Sequence, residues 1–226
     1  MWQDSFLALC YNQPPGTTAV RVPFPPESGP SGQYTYIDIL SHVCDVIQDF
    51  CRQRTLLDED VALPYSIILN LANRVQEIPH KAQPHLQAFE NCINLQQYSE
   101  YLVTRIYVNH ASSQLFLSVL RSSSPNEPHR EKLISLTSDG CVAVLEAYLK
   151  LRQVSVLTSH YWSLLHTAVK STEYLASWRR DDPTTTALAK RFVRSLECSC
   201  DDNVNTKSSF STTLSEIIKD LKALLG

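Results

Sequence analysis

The sequence predicts an all-α protein, a single multi-helix domain of about eight to nine helices with a long central helix. Glycine is scarce, with 5 in 226 residues, which disfavours a turn-rich β protein. Apolar side chains recur at the period of roughly 3.6 residues that marks one buried helix face. With 43% hydrophobic residues the chain can enclose one substantial core, so we treat residues 1–226 as one domain.

The first predicted helix begins near Asp4, whose carboxylate can cap the first turn, and ends at Pro14-Pro15-Gly16. Residues 22–33 are rich in proline and glycine and predict a loop. A second helix runs from about Tyr34 to Gln53. Its apolar face is predicted to consist of Ile37, Leu40, Cys44, Ile47 and Cys51.

The middle of the chain predicts three more helices. The first has Pro64 in its first turn, where backbone N–H groups have no partner within the helix and a proline therefore costs no hydrogen bond. It ends at Ile78-Pro79. The longest runs from about Leu95 to Arg121 and should lie at the heart of the fold, and another follows from about Arg130 to Gln153. Their buried faces are predicted to hold Tyr98, Leu102, Ile106, Asn109, Ser113, Phe116 and Leu120 on the longest helix, and Thr137, Cys141, Val144, Tyr148 and Leu151 on the next.

Ser159 can cap the late helix, in which Trp162 shares the register of Leu165 and Val169. This register predicts a buried indole, whose replacement by alanine would cost about 3–5 kcal/mol. Asp181-Asp182-Pro183 ends this helix, and Thr184 opens the next. Residues 198–209 are predicted to form a polar loop, and residues 210–225 a final amphipathic helix. We expect this final helix to dock on the preceding ones, the alternative being a partner-binding helix.

Charge and hydropathy exclude two classes of partner. The net charge is −3, whereas nucleic-acid binding depends on clustered lysine and arginine. The basic residues from Lys150 to Arg194 are spread over several helix ends, so we expect no autonomous nucleic-acid binding. No apolar run approaches the roughly 20 residues that span a bilayer, and no secretory signal is evident. We therefore expect no membrane association and no secretion.

The seven cysteines do not have the spacing of a zinc cluster. Two tetrahedral zinc ions that share ligands need six thiolates in two close groups, and the closest approach here is the single Cys198-Ser-Cys200. The sequence also lacks a Gly-x-Ser-x-Gly elbow, a phosphate loop and a dinucleotide-binding turn. We therefore predict no metal, no cofactor and no catalytic residue, and we expect purified protein to contain no stoichiometric zinc.

Four segments carry a resemblance to a known family. They are the aspartate-led helix that runs into Asn12-Gln13-Pro14-Pro15, the stretch from Ala82 to Leu86, the long helix through Tyr107 and His110, and the stretch from Tyr161 to Leu175. In this order they resemble the middle homology region of fungal binuclear zinc cluster transcription factors, a helical regulatory domain downstream of their DNA-binding module. The glycine and arginine of the family's turn are replaced here, and no Arg-Pro follows the long helix.

The resemblance implies a transcription regulator in the nucleus, of a fungal specialised-metabolism gene cluster. Because it lacks its own zinc cluster, it would act by binding a small-molecule effector or a protein partner, such as a full-length regulator or a second copy of itself. A helix that begins almost at Met1 suggests the inner part of a larger architecture whose upstream module is missing; a stand-alone regulator is the other possibility. The alternative of another class is a small metal-independent enzyme of specialised metabolism with a helical apolar pocket, which would be cytoplasmic.

Four residues are candidates for an effector pocket. Tyr107 and His110 are three apart and therefore neighbours on the long helix, while Trp162 and His166 belong to the first turns of the late helix. Buried imidazole and phenol groups need hydrogen-bond partners. Such groups either orient a ligand or pin two helices together, and the sequence leaves both roles open.

Overall fold

The computed structural model describes residues 32–55, 63–122, 129–154, 162–202 and 209–226, and these residues form an all-α fold. The predictions of an all-α fold and of a long central helix are confirmed. In chain order the α-helices are α1 (Tyr36–Thr55), α2 (Tyr65–Glu77), α3 (Pro84–Gln87), α4 (Leu95–Ser122), α5 (Arg130–Val154), α6 (Trp162–Trp178), α7 (Pro183–Asp202) and α8 (Ser209–Leu225). Two 3₁₀ turns, Ile78–Lys81 and Phe89–Asn91, flank α3.

The central element is α4, which is 28 residues long and packs against α1, α2, α3, α5 and α6. Side chains along much of its length are buried, among them Leu102, Ile106, Leu115 and Leu120. The antiparallel α5 packs most extensively against it. One core therefore surrounds α4, and α7 and α8 complete the fold against α5 and α6.

The chain enters the described fold through a short backbone bridge. The Tyr34 N–H donates to the Lys81 carbonyl at 2.9 Å, and the Gln83 N–H donates to the Tyr34 carbonyl at 3.0 Å. Gly32 and Gln33 lie outside any helix, as the predicted 22–33 loop requires of them. The rest of that loop and the predicted first helix lie outside the described residues.

Helix α1 begins at Tyr36, two residues later than predicted, because Thr35 and Asp38 cap it. The Thr35 N–H donates to Asp38 Oδ2 at 2.8 Å, and the Asp38 N–H donates to Thr35 Oγ1 at 3.3 Å, in the manner of a capping box. The prediction that Ile37 is buried is wrong, since 62% of it is exposed. The buried face is centred on Ile39, Val43 and Ile47, and at 100° per residue Ile37 falls at its edge.

The predicted polar loop at 198–209 is wrong over its first part, because α7 continues to Asp202. Polar composition does not end a helix by itself, and no proline or glycine interrupts this stretch. Residues 203–208 lie outside the described part. Helix α7 also begins one residue before the predicted Thr184: the Thr184 N–H donates to Asp182 Oδ1 at 2.9 Å, and Pro183 follows this cap.

The last helix, α8, begins at Ser209 and packs against α6 and α7. Leu214, Ile218 and Leu221 are buried in this contact, and Lys222 forms an ion pair with Glu197 of α7. Among the helices described, none combines the length and apolar character needed to cross a bilayer.

Candidate functional site

The four residues predicted from the sequence come together where α4 meets α6. The Tyr107 hydroxyl lies 3.0 Å from Ser163 Oγ in the first turn of α6. Burial raises the pKa of Tyr107, and the bond to Ser163 offsets only part of this effect. Tyr36 and Cys44 of α1 lie close enough to raise the pKa of Tyr107 further. Tyr107 is therefore a neutral hydrogen-bonding group at the junction of α1, α4 and α6.

The two histidines lie close enough across the same contact for His166 to influence the pKa of His110. His110 is 1% exposed, and burial lowers its pKa to about 3, with a smaller contribution from His166. Burial also lowers the pKa of His166, and the charge of Lys170 lowers it further. Both imidazoles are therefore neutral at pH 7. This degree of burial suits side chains that pin α4 to α6, and an effector role for them stays a prediction.

Trp162 lies beside this pair but is not in the core. Its ring centroid is 6.2 Å from that of His166, and 40% of the residue is exposed, so the prediction of a buried indole is wrong. Leu165 and Val169, in the same register, are buried. Register gives the side of a helix on which a residue lies, but burial also needs a neighbouring element at that level, and Trp162 is the first residue of α6.

Small polar groups line the contact of α4 with α5 and α6. The thiol of Cys141 lies between the hydroxyls of Ser113 and Ser171, and burial raises its pKa to about 12 although both hydroxyls act in the opposite direction. A thiol of this kind is a poor nucleophile. Within the described ranges, no three histidine, cysteine or acidic side chains are grouped so that they could hold a metal ion.

A pocket that the sequence reasoning missed lies on the other side of the α4–α5 contact. Its volume is about 240 Å³, and we call it the aromatic–cationic pocket. It lies between the first half of α4 and the second half of α5, with Phe89 of the preceding 3₁₀ turn contributing to its wall. Three aromatic, three charged and three aliphatic side chains line it: Phe89, Tyr98, Tyr101, Arg105, Glu146, Lys150, Leu102, Ala143 and Ala147.

The aromatic wall of this pocket is built by spacing along α4. Tyr98, Tyr101 and Arg105 are three and four residues apart and so share one helix face. The two tyrosine rings are nearly parallel, 16° apart in plane and 6.5 Å between centroids. The Arg105 guanidinium lies 5.8 Å from the Tyr101 ring centroid, and its Nη1 donates to the Tyr101 hydroxyl at 3.3 Å. These contacts give Arg105 a defined position beside the rings.

Among the described residues, the charged side chains of the pocket form no direct ion pair. Arg105, Glu146 and Lys150 take part in none of those observed. Glu146 and Lys150 lie one turn apart on α5 and are exposed. Two cationic groups against one carboxylate leave the pocket with a positive excess, so it can attract an anion.

The sequence carried a partial signal for this pocket. The spacing of Tyr98, Tyr101 and Arg105 places them on one face of α4. The sequence pattern, however, predicts Tyr98 on the buried face of this helix, and it shows Lys150 only as one of the basic residues spread over several helix ends. Other residues of that basic set hold the fold together: Arg152 donates to the Ser195 carbonyl, and Arg179 donates to Ser138 Oγ at 3.1 Å. Sequence alone does not say which basic residues face a pocket, because this depends on how α5 sits on α4.

No family model matches this chain, and neither curated proteins nor solved structures give a match. Membership of the zinc cluster regulator family therefore stays an expectation carried by the four sequence segments. The aromatic–cationic pocket and the α4–α6 contact are the features from which a function can be argued.

Proposed function

We propose that this chain is a regulatory domain that binds a small-molecule effector, and that the effector binds in the aromatic–cationic pocket. The observation that carries this proposal is the lining of that pocket. Ligand sites typically combine apolar walls with a few polar groups that fix orientation, and here aromatic rings adjoin Arg105, Glu146 and Lys150. Four of the nine residues that line the pocket belong to α4, which packs against five other helices, so a ligand bound there would contact the central helix directly.

The finer proposal concerns transcription. The four sequence segments support a regulator of a fungal specialised-metabolism gene cluster that acts in the nucleus without a zinc cluster of its own. Such a protein would reach DNA through a partner, either a full-length regulator or a second copy bound to one. The net charge of −3 and the internal hydrogen bonds of Arg152 and Arg179 support contact through a partner over direct DNA binding.

A deletion strain tests this proposal. We expect loss of transcripts from one biosynthetic gene cluster, restored by the wild-type chain but not by Ala143→Phe, which would place a ring in the pocket. Asp181→Asn, an exposed substitution away from the pocket, is the matched control and should restore transcripts. Normal transcripts with accumulation of a single precursor would overturn regulation and favour the enzyme alternative.

A further inference from the structure

We propose that the aromatic–cationic pocket selects a planar aromatic monocarboxylate of one ring or two fused rings. This inference rests on the proposed function, because it names the class of effector that the same pocket would take. It goes beyond that function in assigning a role to each wall of the pocket.

Pocket volume limits the size of the ligand. An enclosed apolar cavity of about 150 Å³ binds a molecule the size of benzene, while drug-sized ligands occupy pockets of about 300–1,000 Å³. The volume of about 240 Å³ lies between these values. It therefore suits one substituted ring or two fused rings.

The aromatic side chains favour a flat ring over an aliphatic chain. Tyr98 and Tyr101 are nearly parallel on one face of α4, and Phe89, which is 57% exposed, contributes a third ring from the 3₁₀ turn. Aromatic rings pack best in offset-stacked or edge-to-face arrangements, so a planar ligand gains contact with several of these rings at once. An aliphatic ligand of the same volume would lack this geometry.

The charged side chains favour a carboxylate. Arg105 has five N–H donors, and the Tyr101 hydroxyl is the one hydrogen-bond acceptor that the described residues offer its guanidinium. The remaining donors can form the paired bonds that a carboxylate accepts. Lys150 supplies a second cation from α5, on the opposite wall.

Glu146 restricts the charge of the ligand. Its carboxylate lies in the same pocket as the two cations and leaves an excess of one positive charge. A single carboxylate matches this excess, whereas a dicarboxylate or a polyphosphate would bring like charge close to Glu146. We therefore infer a monoanion.

Calorimetric titration of the full chain with 2-naphthoate, 2-naphthamide and 2-naphthylmethylamine tests the proposal. These probes share one ring system and differ in charge. We expect 2-naphthoate to bind at least about tenfold more tightly than the other two at low salt, and this preference to shrink at high salt. Equal affinity for the amide and the carboxylate would overturn the proposed ligand class.

Variants connect the preference to the pocket. Arg105→Gln and Lys150→Gln should each weaken 2-naphthoate binding by about tenfold and leave 2-naphthamide binding unchanged. Arg121→Gln is a matched control, because Arg121 is an exposed arginine of the same helix. If both pocket variants bind 2-naphthoate like the wild type, the carboxylate is not held by these cations and the proposal is wrong.

The two proposals fail in different ways. If the amide or the amine binds best and Ala143→Phe abolishes its binding, the aromatic monocarboxylate is the wrong class while the pocket remains the effector site. If none of the three probes binds, the ligand class is wrong, and the outcome in the deletion strain decides the proposed function independently. Normal transcripts in that strain reject the regulatory function whatever the probes do.

Discussion

Gly140 of α5 faces Ser113 of α4 so closely that a side chain at Gly140 would overlap the Ser113 hydroxyl. A Cβ atom built at Gly140 would also lie 3.3 Å from the backbone oxygen of Asn109, which is tighter than ordinary packing. Ser113 is held in place by its bond to the Thr137 carbonyl at 3.4 Å. The absence of a side chain at Gly140 therefore allows the two longest described helices to approach each other here.

The first prediction is that Gly140→Ala destabilises the protein by about 1 kcal/mol. Overpacking typically costs about 1–3 kcal/mol, while alanine improves helix propensity over glycine by about 1 kcal/mol, so the two effects partly cancel. In a Ser113→Ala background the clash with the hydroxyl is gone, and the same substitution should be neutral or stabilising. Urea unfolding of the four proteins in this double-mutant cycle checks the coupling. Additive effects would mean that Gly140 and Ser113 do not constrain each other.

The second prediction concerns acid stability and the pKa of His110, which burial lowers to about 3 from an ordinary value of 6.5. Between these two pH values the unfolded chain binds a proton at His110 that the folded chain does not bind. The free energy of unfolding should therefore fall as the pH falls below about 6.5, by about 1.4 kcal/mol per pH unit from this residue. The lowered pKa of His166 acts in the same direction.

Urea unfolding at pH values between 7 and 4 measures this slope, and His110→Gln should flatten it. The imidazole signals of His110 in NMR spectra should remain those of the neutral ring down to about pH 4, given the pKa of about 3. A titration of His110 near its ordinary value would show that the ring is solvated and contradict its burial.

The third prediction compares two residues in one register of α6. Trp162→Ala should lower the free energy of unfolding by only about 1–2 kcal/mol, because 40% of Trp162 is already exposed. Leu165→Ala should cost more, about 2–5 kcal/mol, because Leu165 is fully buried. Denaturant unfolding of both variants gives the order. A larger loss for Trp162→Ala would place the indole in the core after all.

The fold was largely predictable because helix periodicity is a local property. The period of apolar residues located α4 and α5 to within one residue at each end, and Thr137, Cys141, Val144, Tyr148 and Leu151 are all buried, as predicted. The predictions of burial that failed depended on contacts between elements that are distant in the sequence. Ile37 and Trp162 belong to helix faces that are covered elsewhere, and their exposure depends on which element lies beside them.

The pocket was less predictable for the same reason. Tyr98, Tyr101 and Arg105 share a face of α4 by spacing alone, but Glu146 and Lys150 reach that face only through the packing of α5 on α4. Tyr107 and His110 were identified as a polar pair on the long helix. Their contacts with Ser163 and His166 join residues more than fifty positions apart in the chain, and no local pattern encodes such a distance.

The last prediction is that α8 stabilises the fold by covering α6 and α7. Leu221→Ala should lower the free energy of unfolding by about 2–5 kcal/mol, because Leu221 is buried in this contact. Leu224→Ala, three residues further along the same helix, should lower it by less, about 0.5–1 kcal/mol, since 40% of Leu224 is already exposed. Removal of residues 209–226 should lower the melting temperature and increase the binding of a hydrophobic dye, because apolar surface of α6 and α7 would meet water. If this truncated protein keeps its stability but no longer binds a regulatory partner, α8 is an interaction surface instead. A helix that packs only weakly on its own fold leaves its apolar face available to another protein.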